Sequence, residues 1–168
     1  PLAALKDRPK LADALVSAAG AGLMAPLEAL LARPEEVAVD ARKSGPQRGT
    51  ALMVAATGGH VRAVRALLKK GASVDLTHHV HGMTALMRAA QGGHSPVVQA
   101  LLEKGPKLEV TVKDDGMTAL HLAAQSFEAR SVEMLLAKGA GANARDGENT
   151  TALLLAAGVG DVQSIEHL

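Results

Sequence analysis

The chain has 168 residues, 48% of them apolar and 21% charged, with a net charge of +1 and no cysteine. That composition fits one globular domain with a sizeable core and excludes a disordered or fibrous chain, while the missing thiols exclude disulfides, thiolate metal sites and cysteine nucleophiles. A near-neutral chain with one phenylalanine, Phe127, and no tryptophan or tyrosine has neither the basic surplus nor the stacking platforms of a nucleic-acid binder.

Residues 1–10 read as an N-terminal lead-in, opening at Pro1 with no charged-then-apolar leader, the pattern of a processed product or an excerpt. A first unit follows over 11–46, with Asp13-Ala-Leu-Val-Ser-Ala-Ala19, then Leu30-Leu31 and Pro34. Asp13 supplies the side-chain oxygen expected at a helix start. The pattern sharpens over 47–80, with Thr50-Ala-Leu-Met-Val-Ala-Ala56, Gly59, Leu67-Leu68 and Gly71. It returns over 81–114 as Thr84-Ala-Leu-Met-Arg-Ala-Ala90, Gly93, Leu101-Leu102 and Gly105. Over 115–147 it becomes Thr118-Ala-Leu-His-Leu-Ala-Ala124, Leu135-Leu136 and Gly139. A last unit, 148–168, starts with Thr151-Ala-Leu-Leu-Leu-Ala-Ala157 and is incomplete, ending partway through its second helix at Leu168. That apolar stretch is far short of the roughly 20 residues that span a bilayer, so no direct membrane insertion is expected.

The four threonines are 34, 34 and 33 residues apart, and each of the first three stands 21 residues before its glycine. Length varies only after the glycine, where 13, 13 and 12 residues lead to the next threonine. A constant stretch followed by a variable one predicts two packed helices and a projecting loop. Threonine caps the first helix. The Ala-Ala pair lets neighbouring helices approach, and the Leu-Leu pair with its flanking valines forms the apolar stripe of the second. Repetition at this period marks a stacked array; Asp13, 37 residues before Thr50, makes 11–46 its degenerate N-terminal cap.

These units resemble ankyrin repeats, whose pattern runs Gly-x-Thr-Pro-Leu-His-x-Ala-Ala-x-x-Gly-His and later Val-x-x-Leu-Leu-x-x-Gly-Ala. Gly116-Met-Thr-Ala-Leu-His-Leu-Ala-Ala124 matches with only the proline replaced, by Ala119, and Gly58-Gly-His60 and Gly92-Gly-His94 match the turn between helices. The departures are local. His121 alone keeps the first-helix histidine, replaced elsewhere by Met53, Met87 and Leu154, and Phe127-Glu128 stands in place of Gly-His. The resemblance implies an all-α fold, a single ankyrin-repeat solenoid over 11–168. Its helix-turn-helix units carry projecting β-hairpin-like loops, about four full repeats plus an incomplete C-terminal one. It also implies a non-catalytic module that binds a protein partner; the alternative is a constitutive accessory or scaffold subunit of a larger assembly. An intracellular setting, cytoplasm or organelle interior, is expected.

The sequence suggests no cofactor, metal or catalytic centre. His78, His79 and His81 are close in sequence, and in an extended loop His79 and His81 would share a face, but no third ligand is evident. We read them as a solvated or partner-contacting loop. Asp114-Asp115-Gly116 occupies the turn of its unit and lacks the spaced carboxylates of a calcium loop. The paired glycines lack the Gly-Lys-Ser/Thr of a phosphate loop.

Carried over position by position, the resemblance puts partner-binding residues on the loop tips and at the ends of the first helices. On the tips these are Arg48, Val80, His81, Met83, Asp114, Asp115, Met117 and Glu148. On the helices they are Thr57, Gln91 and Gln125. Met83 and Met117 are adaptable apolar side chains beside a turn, suited to a partner. Residues 1–80 carry a charge of +4 and residues 81–168 one of −3, so an elongated partner is expected to present acidic groups towards Arg48 and basic ones towards Glu148. Phe127, where a left-handed glycine is expected, is a further candidate contact.

Overall fold

The structure, a computed structural model, describes residues 2–44 and 49–168, without the side chains of residues 2–7. Ten helices follow one another among the described residues: α1 (Leu2–Gly20), α2 (Met24–Leu31), α3 (Ala51–Thr57), α4 (Val61–Lys69), α5 (Ala85–Gln91), α6 (Ser95–Leu102), α7 (Ala119–Gln125), α8 (Ala129–Ala137), α9 (Ala152–Val159) and α10 (Val162–His167). Odd helices pack on odd ones and even on even, and each odd helix also packs on the even helix that follows it. The result is a two-layered solenoid in which every unit touches only its neighbours.

The local causes are those the repeat encodes. Thr50, Thr84 and Thr151 cap α3, α5 and α9 by accepting from the amides of Met53, Met87 and Leu154. Ala55, Ala56, Ala89, Ala90, Ala123 and Ala124 are all fully buried, because a larger side chain there would hold the odd helices apart. Leu67, Leu101 and Leu135 fill the seam between the layers and are likewise fully buried.

Two ladders of hydrogen bonds join unit to unit. In the first, the carbonyl at the end of each odd helix, which has no partner within its own helix, accepts from the next unit: Gly20 from His60 at 2.9 Å, Thr57 from His94 at 3.0 Å and Gln91 from the Ser126 hydroxyl at 2.9 Å. In the second, a carboxylate accepts a backbone amide of the following unit: Asp40 from Ser73 at 3.0 Å, Asp75 from Lys107 at 2.9 Å and Glu109 from Gly141 at 2.9 Å.

The projecting loops, residues 74–84, 108–118 and 142–151, are fingers closed by backbone bonds from His78 to Met83, Val112 to Met117 and Asp146 to Thr150, with a second bond inside each turn, from Gly82 to His78, Gly116 to Val112 and Asn149 to Asp146. The third is one residue tighter, and Asn149 holds the left-handed position that Gly82 and Gly116 hold in the others. Adjacent fingers are bonded tip to tip, Lys113 donating to the His81 carbonyl at 3.0 Å and Gly147 to that of Asp115 at 2.7 Å. No helix among the described residues is long and apolar enough to cross a membrane.

Candidate functional site

The face built from the odd helices and the fingers holds the residues the sequence points to. Along α3, α5 and α7 only the last residue, Thr57, Gln91 or Gln125, is exposed, while Val54 and Arg88 are half-buried and the rest are buried. The Thr57 hydroxyl is bonded back to the Met53 carbonyl at 3.0 Å, so its methyl group is the part left to a visitor. Val80, 48% exposed, and the exposed His81, Asp114, Asp115 and Glu148 stand on the finger tips. Asp115 also closes its own turn by accepting the Met117 amide at 3.0 Å, as a short side chain does in an Asx turn. Arg48 lies outside the described residues.

Two expectations need correction. Met83 is only 7% exposed and belongs to the core. Its carbonyl accepts the bond that closes the finger, which holds the side chain beneath the loop and away from the surface. Met117, in the same position one unit on, is half-buried against the core. Neither is a tip residue. His78, read as part of a solvated loop, is 6% exposed. It fills the slot held in the next finger by the buried Val112, and its ring stacks on that of His81 with centroids 5.6 Å apart and planes 11° from parallel. His79 packs on His78 from another side at 4.9 Å. Instead of sharing a face with His79, the exposed His81 pairs with Asp114 at 3.2 Å. Among the described residues no group of three or more histidine, aspartate or glutamate side chains is placed to hold a metal ion.

Sequence reasoning missed Arg88. It stands on α5 in the slot that holds Val54, Leu122 and Leu155 in the other units, and that comparison is the signal that finds it. Beside His78 it lines a hollow of about 440 Å³ between α3, α5 and the finger of residues 74–84, together with Val54, Thr57, Val80 and His81. The Arg88 Nε and the His78 Nδ1 are both buried without a hydrogen-bond partner. Burial lowers the His78 pKa below the ordinary histidine value, with further lowering by the charges of Arg88, His79, His81 and Arg42. Burial also lowers that of the Arg88 guanidinium. The hollow thus sets the Arg88 guanidinium beside a histidine whose neutral form is favoured.

Phe127 is 60% exposed with φ 58°. It adopts the same left-handed turn as Gly59 and Gly93, whose φ values are 69° and 68°, and does not reshape it. Because an L side chain there costs about 1–2 kcal/mol, part of which the looser unfolded glycine chain returns, Phe127→Gly is expected to stabilise the array by about 1 kcal/mol. A urea midpoint that falls would show that the ring makes a contact worth more than the strain. Glu128, in place of histidine, accepts from the Ser95 hydroxyl at 2.7 Å, and Ser126 takes over the carbonyl bond that His60 and His94 make elsewhere.

A family model described as "Ankyrin repeats (3 copies)" matches residues 2–114, and one described as "Ankyrin repeat" matches residues 115–147. No curated protein matches the chain.

Proposed function

Because the chain belongs to the ankyrin-repeat family, whose repeats are generally protein–protein interaction modules and typically non-catalytic, we propose that it captures a partner protein on the face formed by its odd helices and finger tips. The observation that carries this reading is the strip of Thr57, Gln91 and Gln125, one exposed residue at the same place in three successive units whose helices are otherwise buried or half-buried. Val80, His81, Asp114, Asp115 and Glu148 extend it onto the tips, and Arg48 is proposed to join them. An extended strip of this kind suits an elongated segment read one unit at a time. Changing Gln91 and Gln125 together to arginine is expected to release the protein that co-purifies with the native chain under mild conditions, with the urea midpoint unchanged. Full retention of that companion would overturn the reading.

A second reading is a constitutive scaffold subunit of a larger assembly. A companion kept by the arginine variant but lost on Leu154→Asp with Ile165→Asp, both exposed on the last helix pair, would identify it.

A further inference from the structure

The hollow beside α5 has a chemistry of its own. Two of its residues break the repeat in the same sense: Arg88 replaces the aliphatic side chain found in the other units, and His78 replaces the valine of the next finger. Arg88 puts a charge into a slot that is aliphatic in the other units, His78 puts a ring into the slot that the buried Val112 holds in the next finger and Asp146 in the last, and the two meet at one place. Their buried Nε and Nδ1 atoms have no partner, although such groups are nearly always satisfied in native proteins and are costly when they are not. Among the described residues no acidic side chain lines the hollow, and Asp114 faces His81 on the exposed side of the finger. The Arg88 guanidinium can only donate, so what its Nε lacks is an acceptor; the positive charge favours an anion, and His78 donates to the same group as the tautomer with its proton on Nδ1.

The walls narrow the choice further. Val54 and Val80 offer an aliphatic surface beside the charged end, which a bare phosphate would leave unused. A hollow of about 440 Å³ has room for more than one carboxylate group. An anionic head on a short methylene stem fits both features, with the head against the guanidinium and the stem along the valines.

We propose that this hollow is a carboxylate pocket that seats a glutamate side chain of the partner, hydrogen-bonded by Arg88 and His78. It rests on the reading of this face as a protein-binding surface and gives that partner its first stated chemical feature: an acidic residue where the partner crosses the second and third units. Arg88 reads the charge through donors that cannot be deprotonated, and His78 fixes the position of the second oxygen.

The test is a titration of the full chain, followed by the NMR signals of the Arg88 Nε–H and the His78 ring, with N-acetyl-glutamate methylamide, its glutamine counterpart and inorganic phosphate as probes. Saturable shifts of both signals with glutamate, at least tenfold weaker with glutamine, are expected. Arg88→Leu and His78→Val, each restoring a residue type found in a neighbouring unit, should fold and should weaken glutamate binding about ten- to hundredfold. Absence of shifts with glutamate would overturn the pocket, as would phosphate binding equal to or tighter than glutamate. These outcomes are independent of the broader reading. A silent titration with a companion still released by the Gln91 and Gln125 substitutions would remove only the pocket. Glutamate binding with that companion retained would remove only the broader surface.

Discussion

His121→Ala is expected to destabilise the array by about 3 kcal/mol, seen as a lowered urea midpoint. The ring is fully buried on α7 and ties together two units. Its Nδ1 lies 3.2 Å from the Thr118 amide and 2.8 Å from the Thr118 hydroxyl, so that nitrogen accepts. Its Nε2 then carries the proton and donates to the carbonyls of Ala144 and Thr150 in the next finger, both at 3.1 Å. Truncation opens a cavity of ring size, for which losses of a few kcal/mol are usual, and leaves part-buried carbonyls unmatched at about 1–3 kcal/mol. His121→Met separates the two contributions. Met53 and Met87 fill the same slot at full burial, so methionine keeps the volume and loses the bonds, at about 1–2 kcal/mol. Because units are coupled only to neighbours, hydrogen exchange should quicken first in residues 119–168. If His121→Ala leaves the midpoint within about 0.5 kcal/mol of the native chain, the ring is not the joint described here.

Gly116→Ala is expected to cost about 2–3 kcal/mol, against about 1 kcal/mol for Gly105→Ala. Both glycines lie in the left-handed region, with φ of 70° and 65°, so both substitutions incur the backbone cost of an L residue there. Only at Gly116 is something in the way. A Cβ would stand 2.9 Å from the backbone nitrogen of Gly147, which cannot swing aside as a side chain would, while around Gly105 there is nothing within 4 Å. Relief requires the fingers to part, which removes the bond from Gly147 to the Asp115 carbonyl. Equal losses at the two sites, measured by denaturant unfolding, would mean that the fingers part freely and that their alignment carries no energy.

The helices, caps and core were legible because they follow from spacing: the threonines at a period near 34 residues cap helices, and the leucine pairs line the seam between layers. The fingers were harder because they are short, yet Val74-Asp-Leu-Thr-His78 and Leu108-Glu-Val-Thr-Val112 alternate with period two, and that alternation turns His78 and Val112 inward. The resemblance, carried over position by position, puts Met83 on the tip, yet the residue just before the capping threonine closes the finger and packs beneath it. His78 looked like a turn residue, but its place two residues after Leu76 and its register with Val112 mark it as an inward slot. Arg88 stands in no cluster of polar residues; its mark in the sequence is a single charge in a column of aliphatic residues, Val54, Leu122 and Leu155. Phe127 was legible as an exception, and the structure adds that the turn keeps its shape around it.

The ladders that join the units have a mechanical consequence. The bonds from His60, His94 and Ser126 to the preceding helices, and from Asp40, Asp75 and Glu109 to the following units, all span between 32 and 40 residues, so each rung crosses a single junction. Pulled from its two ends, the array has, among the described residues, no long-range staple that must break before all others. It would peel from an end one unit at a time, each step freeing about 34 residues, or roughly 110–120 Å of extended chain, and relaxing the pull would let each unit settle back on the intact face left by its neighbour. Such a body behaves as an elastic spacer with graded give, so a partner gripped along several units at once would stiffen it.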